Sequence, residues 1–232
     1  MTAVAFTSMD FGPIPPGRTA EISPGVDYDV EGYGWMFGLH TGSDQGRFVY
    51  TRMRGDFDVS ARIESIHNDK HAFTEAGLLV RRDLSPSGLM FGQFVTNNQY
   101  RGEADQYTCI FRLKEGGSLE QGRDGGTHGP GSWGSDHFGY FASGYIRDDA
   151  SKRPRPFPHV WIRIQRQGNT YRGYLKEADA PWRLLGQITL DLGREPYVGM
   201  ALSANHHGAE HNTRAVVQYR DLTGFPAAVR SA

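Results

Sequence analysis

Cysteine is almost absent: Cys109 stands alone in 232 residues. That excludes an internal disulfide framework and a zinc site built from several cysteines. Cys109 lies in the apolar run Tyr107-Thr108-Cys109-Ile110-Phe111 and reads as a buried thiol rather than a nucleophile. An excess of either charge is also missing, with 25 Lys plus Arg against 26 Asp plus Glu and a net charge of -1. Nucleic acid is excluded as a partner, because counterion displacement from phosphate needs a basic surplus. A polybasic membrane anchor is excluded on the same count. No run approaches the roughly 20 apolar residues of a membrane helix. The stretch Met1-Thr2-Ala3-Val4-Ala5-Phe6 lacks the basic and apolar regions of a secretion signal, so the expected location is cytoplasmic. Gly-x-Ser-x-Gly, a Walker loop, a dinucleotide fingerprint and an EF-hand loop are all missing.

Helical periodicity is lacking as well, and period-2 alternation takes its place. In Phe57-Asp58-Val59-Ser60-Ala61-Arg62-Ile63-Glu64 the odd positions are apolar and the even ones polar. That is a strand with one buried and one solvated face. Strand-like runs also cover 47–53, 76–82, 90–96, 107–112, 160–167, 170–176, 183–190, 197–204 and 215–222, with edge strands expected at 6–11 and 27–37. Thirty Gly and 12 Pro supply turns, and Gln167-Gly168-Asn169 has hairpin length. Ten to thirteen short strands without helices predict an all-β, single-domain antiparallel sandwich over residues 1–232. One segment breaks the rhythm. Lys114 to Pro158 has clustered glycines together with Trp133, Phe138, Tyr140, Phe141 and Tyr145. Loops this long are usually functional or disordered. The aromatics point to packing on the domain, near the concave sheet face.

Four segments carry a resemblance: Phe48-Val49-Tyr50 with Gly55-Asp56-Phe57-Asp58-Val59; Ala76-Gly77-Leu78-Leu79-Val80-Arg81; Val160 to Thr170 with Tyr174 and Trp182; and Tyr197 to Ser203 closed by Tyr219-Arg220-Asp221-Leu222. In this order they resemble the concanavalin A-like lectin/glucanase jelly rolls, and within them the laminin-G-like sandwich proteins described as DUF1349-like. The resemblance implies a jelly roll with a carbohydrate or small polyol held in the groove of the concave sheet. It also implies a structural calcium on the convex side, for which Asp10 and Asp221 are the candidates. No other cofactor is implied. The chain departs from the family pattern at His71-Ala72-Phe73-Thr74-Glu75, where a Trp and a Lys are usual.

Ligand candidates follow from side-chain chemistry. Arg81 shares a strand face with Gly77 and can meet paired hydroxyls or form a structural ion pair. Gln93 and Asn97 share a face with Phe91 and Val95, and their amides suit sugar hydroxyls or solvent. Tyr107 and Trp161 offer flat rings, for a sugar or for packing. Arg112, Trp133, His137, His207 and Glu210 complete the binding set. For an enzyme, the cluster Asn205-His206-His207-Gly208-Ala209-Glu210-His211-Asn212 supplies acid/base side chains. His206 and His211 with Glu75 would then be catalytic. Glu75 could pair with Glu103, Asp105 or Glu210 for hydrolysis, and His71 or His206 with Arg81 or Arg112 would serve a lyase. The primary expectation is a lectin-like carbohydrate binder, the alternative a glycoside-active hydrolase or lyase. A structural sandwich that pairs as a homo-oligomer stays open.

Overall fold

The computed structural model describes residues 5–34, 42–68, 74–97, 106–117, 120–121, 160–204 and 213–226. They form strands only: β1 (Thr7–Phe11), β2 (Arg18–Ser23), β3 (Asp27–Gly32), β4 (Gly46–Arg52), β5 (Phe57–Asn68), β6 (Thr74–Arg81) and β7 (Met90–Asn97). They continue with β8 (Gln106–Arg112), β9 (Glu120–Gln121), β10 (Val160–Gln167), β11 (Thr170–Glu177), β12 (Arg183–Thr189), β13 (Tyr197–Ser203) and β14 (Ala215–Thr223). Two antiparallel seven-stranded sheets result. The front sheet runs β1-β4-β13-β6-β7-β8-β9 and the back sheet β12-β11-β10-β5-β14-β3-β2. No helix among the described residues is long and apolar enough to cross a membrane.

The back sheet follows the simple alternation. Along β10, Val160, Ile162 and Ile164 are buried while Trp161, Arg163 and Gln165 lie between buried and exposed. The inward residues meet the front sheet's Val49, Leu78, Val80, Phe91, Val198 and Met200 in the main core. The front sheet is different because both its faces are buried. All eight residues of β6 are buried, and a second apolar cluster of Phe11, Phe48, Leu79, Met90, Phe94, Ile110 and Ala201 covers the outer face. Phe94 fits because Gly77 and Gly92 have no side chains: a Cβ on Gly92 would fall 2.2 Å from its ring. The open space expected beside Gly77 is therefore filled by a phenylalanine of the protein itself.

The β10–β11 hairpin closes through Gly168 and Asn169, with Gly168 in the left-handed region at φ 58°. Two strands depart from expectation. Strand β2 was not expected, and it displaces β3 from the edge of its sheet. Its residues are largely exposed, so no apolar alternation marks it. Strand β9 is only two residues, paired with Ile110 and Phe111. The described strands therefore number fourteen rather than ten to thirteen.

Candidate functional site

The strand registers sort the loops onto two ends. Glu75 opposes Ser203 and Thr96, so the start of β6 lies beside the ends of β13 and β7. Thr96 opposes Gln106, which adds the start of β8. In the back sheet Ala215 opposes Asn68 and Gly32, which brings together the end of β5, the start of β14 and the end of β3. Asn68 joins the sheets here, its Nδ2 donating to Thr74 Oγ1 at 2.7 Å and to the Ala204 carbonyl at 2.7 Å. Ser203 Oγ donates to the Gly34 carbonyl at 3.3 Å. Segments 69–73, 98–105 and 205–212 thus attach at this Glu75 end, whereas 35–41 starts here after Gly34 and ends at Gly42 beside Gly116, near the turns at the other end. Segment 122–159 is different: β9 ends with Gln121 opposite Ile110, and β10 starts opposite Ile63, midway along β5, so neither of its tethers lies at the Glu75 end.

Glu75 is 4% exposed on the outer side of β6. Strand β7 delivers Asn97 and β8 delivers Tyr107 to the same end by backbone register. His206, His207, Glu210 and His211 lie outside the described residues, on a segment tethered there, and Trp133 and His137 also lie outside them. So do His71, Glu103 and Asp105. Among the described candidates, Glu75, Asn97 and Tyr107 are thus brought to one end by backbone register, with three exceptions.

Arg81 and Arg112 belong to the opposite end, where Arg81 opposes Tyr197 and Met90 opposes Arg112. Both are fully buried and share Asp44, also fully buried. Arg112 Nη2 donates to Asp44 Oδ1 at 2.6 Å, and Arg112 Nη1 donates to Asp44 Oδ2 at 3.1 Å. Arg81 Nη1 donates to Asp44 Oδ2. The remaining donors meet the carbonyls of Asp83, Ser85, Pro86, Gly88 and Gly117. The Arg81 guanidinium also stands over Phe11, 4.6 Å from the ring centroid. Burial, with Arg112 beside it, pulls the Arg81 guanidinium below its ordinary value against the attraction of Asp44. Two arginines are thus spent on clasping the turns 82–89 and 113–117 and the segment entering β4 over the outer face. The expectation that Arg81 and Arg112 reach ligand is corrected to a structural ion-pair role, with a loop aspartate as partner.

Gln93 is the third exception. It faces the inter-sheet core and is fully buried. The Cys109 thiol donates to its Oε1 at 2.9 Å, and Gly173 makes room for both, since a Cβ there would lie 2.4 Å from Cys109 Sγ. Ligand contact is replaced by packing, because the face it shares with Phe91 and Val95 is the core face. Burial pushes the Cys109 thiol upward, which makes it inert.

The calcium candidates lie in different sheets. Both Asp10 oxygens accept from Arg47 Nη1 at 3.0 and 2.9 Å, and Oδ2 also accepts from Gly17 N–H at 3.1 Å. Asp221 accepts from Arg62 Nε at 2.6 Å. To bind a cation, each carboxylate would have to release its arginine. Among the described residues no group of three or more His, Cys, Asp or Glu is placed to hold a metal. The sequence reading missed Asp44 and Asn68. Asp44 leaves no pattern, whereas Asn68 could have been noticed as the polar residue that ends an alternating strand.

Neither a family model nor a curated protein matches the chain. Solved structures do. A functionally unknown protein from Saccharomyces cerevisiae superposes with TM-score 0.59 at 12% identity, covering 97% of each chain. The GH43 protein BlXynB of Bacillus licheniformis matches at 0.50 and 9% identity, over 85% of this chain and 33% of its own. This chain therefore spans about a third of BlXynB. Lectin I-B4 of Griffonia simplicifolia, in its metal-free form, matches at 0.45 and 9% identity over 96% and 93%. The two packed antiparallel sheets are those of a concanavalin A-like jelly roll.

Proposed function

We propose that the protein is a lectin-like carbohydrate binder whose site lies at the Glu75 end of the sandwich. The observation that carries this reading is the convergence there of Glu75, the ends of β7 and β13 and the start of β8. A rigid scaffold that gathers its long connections at one end positions them for binding. The residue types delivered by those strands and connections, carboxylate, amide, imidazole and aromatic, are those that hydrogen-bond and stack on sugars. The DUF1349-like resemblance and the jelly-roll fold support a carbohydrate or small polyol as ligand. Because the second apolar cluster covers the outer face of the front sheet, the ligand is put at its Glu75 end rather than in a groove along that face.

A glycan array followed by titration of the best-bound oligosaccharide tests the reading. Glu75→Gln is expected to weaken binding at least about tenfold, or roughly 1.4 kcal/mol. Unchanged affinity would remove Glu75 from the site.

The enzyme alternative has one observation in its favour. Glu75 is a buried carboxylate at the root of β6, beside the strand that leads into His206 to His211. Release of reducing ends or unsaturated products from the bound glycan, abolished by Glu75→Gln, would establish it. Binding without turnover keeps the lectin reading.

A further inference from the structure

We propose a second carbohydrate surface, on the outer face of β10 and β11, that takes an acidic polysaccharide such as a polyuronate. It is independent of the Glu75 end, because it lies on the other sheet and uses other residues. The outward residues here are Trp161, Arg163, Gln165 and Gln167 on β10 and Thr170, Arg172, Tyr174 and Lys176 on β11. None is aliphatic. A protein-docking face normally has an apolar centre, whereas planar rings, amides and cations suit a hydroxyl-rich, anionic chain.

The charges give the second argument. Arg163 is neutralised: its Nε donates to Asp58 Oδ1 at 2.6 Å and its Nη2 to Asp58 Oδ2. Arg172 and Lys176 have no carboxylate partner among the described residues. Arg172 is instead held by amides, with Nε donating to Gln187 Oε1 at 3.2 Å and Nη1 to Gln167 Oε1 at 2.7 Å. Among the described residues its Nη2 has no protein acceptor. Lys176 Nζ stands over Trp161, 5.1 Å from the ring centroid. Two fixed, unneutralised cations thus lie four residues apart on one strand face, about 14 Å at strand rise. Tyr174 stands between them along β11, its hydroxyl donating to Gln165 Oε1 at 3.2 Å. On the other half of the same sheet face Asp29 and Glu31 of β3 are neutralised in turn, by Arg220 and Arg214. In a chain of net charge -1, the positive strip is a local feature. Holding Arg172 and Lys176 in place before binding lowers the entropy lost on binding.

Affinity electrophoresis through gels containing polygalacturonate or neutral dextran tests this. The wild-type protein should be retarded by polygalacturonate and not by dextran. The double variant Arg172→Gln/Lys176→Gln should lose at least about tenfold in affinity with an unchanged unfolding midpoint. Arg214→Gln, on the β3 side of the sheet, and Glu75→Gln should retain wild-type retardation. Equal retardation of the double variant, equal loss in Arg214→Gln, or equal retardation by dextran would overturn the proposal. So would a change in oligomeric state on removing the two cations, which would make the face an interface between copies. Loss of glycan-array binding in Glu75→Gln with polygalacturonate retardation intact would separate this site from the first.

Discussion

At the scale of single residues, Asp44 holds more of the structure than any neighbour in sequence suggests. Its carboxylate is shared by two buried guanidinium groups that bring in five backbone carbonyls. Removing one partner of a buried pair leaves a buried charge uncompensated. Asp44→Asn is expected to cost about 3–5 kcal/mol in denaturant unfolding. Arg82→Gln, which breaks the exposed pair with Glu115, should cost no more than about 1 kcal/mol. Equal effects would refute the clasp. The sequence pattern put Arg81 on the correct strand face but could not supply its partner, because Asp44 lies 37 residues away in a loop. Gln93 was the opposite case: its shared face with Phe91 and Val95 already marked it as inward. The buried tyrosines give a pH prediction. Burial pushes Tyr171 up to about 12, and it pushes Tyr28 and Tyr219 up as well, with Glu21 adding to the effect at Tyr28. A folded-state value above the unfolded one stabilises fully below about pH 10, and that stabilisation is lost as pH rises through the raised value. Stability should therefore decline from about pH 10 upward, and part of the tyrosinate absorbance should appear only with unfolding. Complete titration in the folded protein would contradict these burials.

At the scale of elements, strands were legible wherever one face meets water. Strand β5 alternates along most of its length and was read over 57–64, short of its end at Asn68. Strand β6 has no polar face to alternate with, yet its apolar run still marked a strand. Strand β2 is an exposed edge with a register shift between Glu21 and Ser23, so its sequence has no buried set to reveal it. The Asn68 junction is the element-scale feature with the most direct bearing on function, since it ties the roots of β6 and β13 to β5. Asn68→Ala is expected to cost about 1–3 kcal/mol. Amide exchange should speed up at 74–77 and 201–204 and stay unchanged near Arg81 and Arg112. Uniform acceleration over both ends would show that the junction has no local role.

At the scale of the whole molecule, the two ends of the sandwich are built for different tasks. The Arg81 end has short turns and a buried ion cluster. The Glu75 end gathers the connections 69–73, 98–105 and 205–212. Fold class was legible in sequence, whereas the sorting of connections onto the two ends needed strand registers, which pair residues far apart in the chain. Replacing 122–159 by a Gly-Ser linker should leave a cooperatively folding sandwich and reduce glycan affinity at least about tenfold. Full affinity after replacement would show that the segment plays no part in binding. The most direct test of the central claim is a crystal structure with the best-bound oligosaccharide from a glycan array. The account predicts the sugar at the Glu75 end, in hydrogen-bond contact with Glu75 and against the ends of β7 and β13. A sugar seated at the Arg81 end, or only on the back sheet, would contradict it.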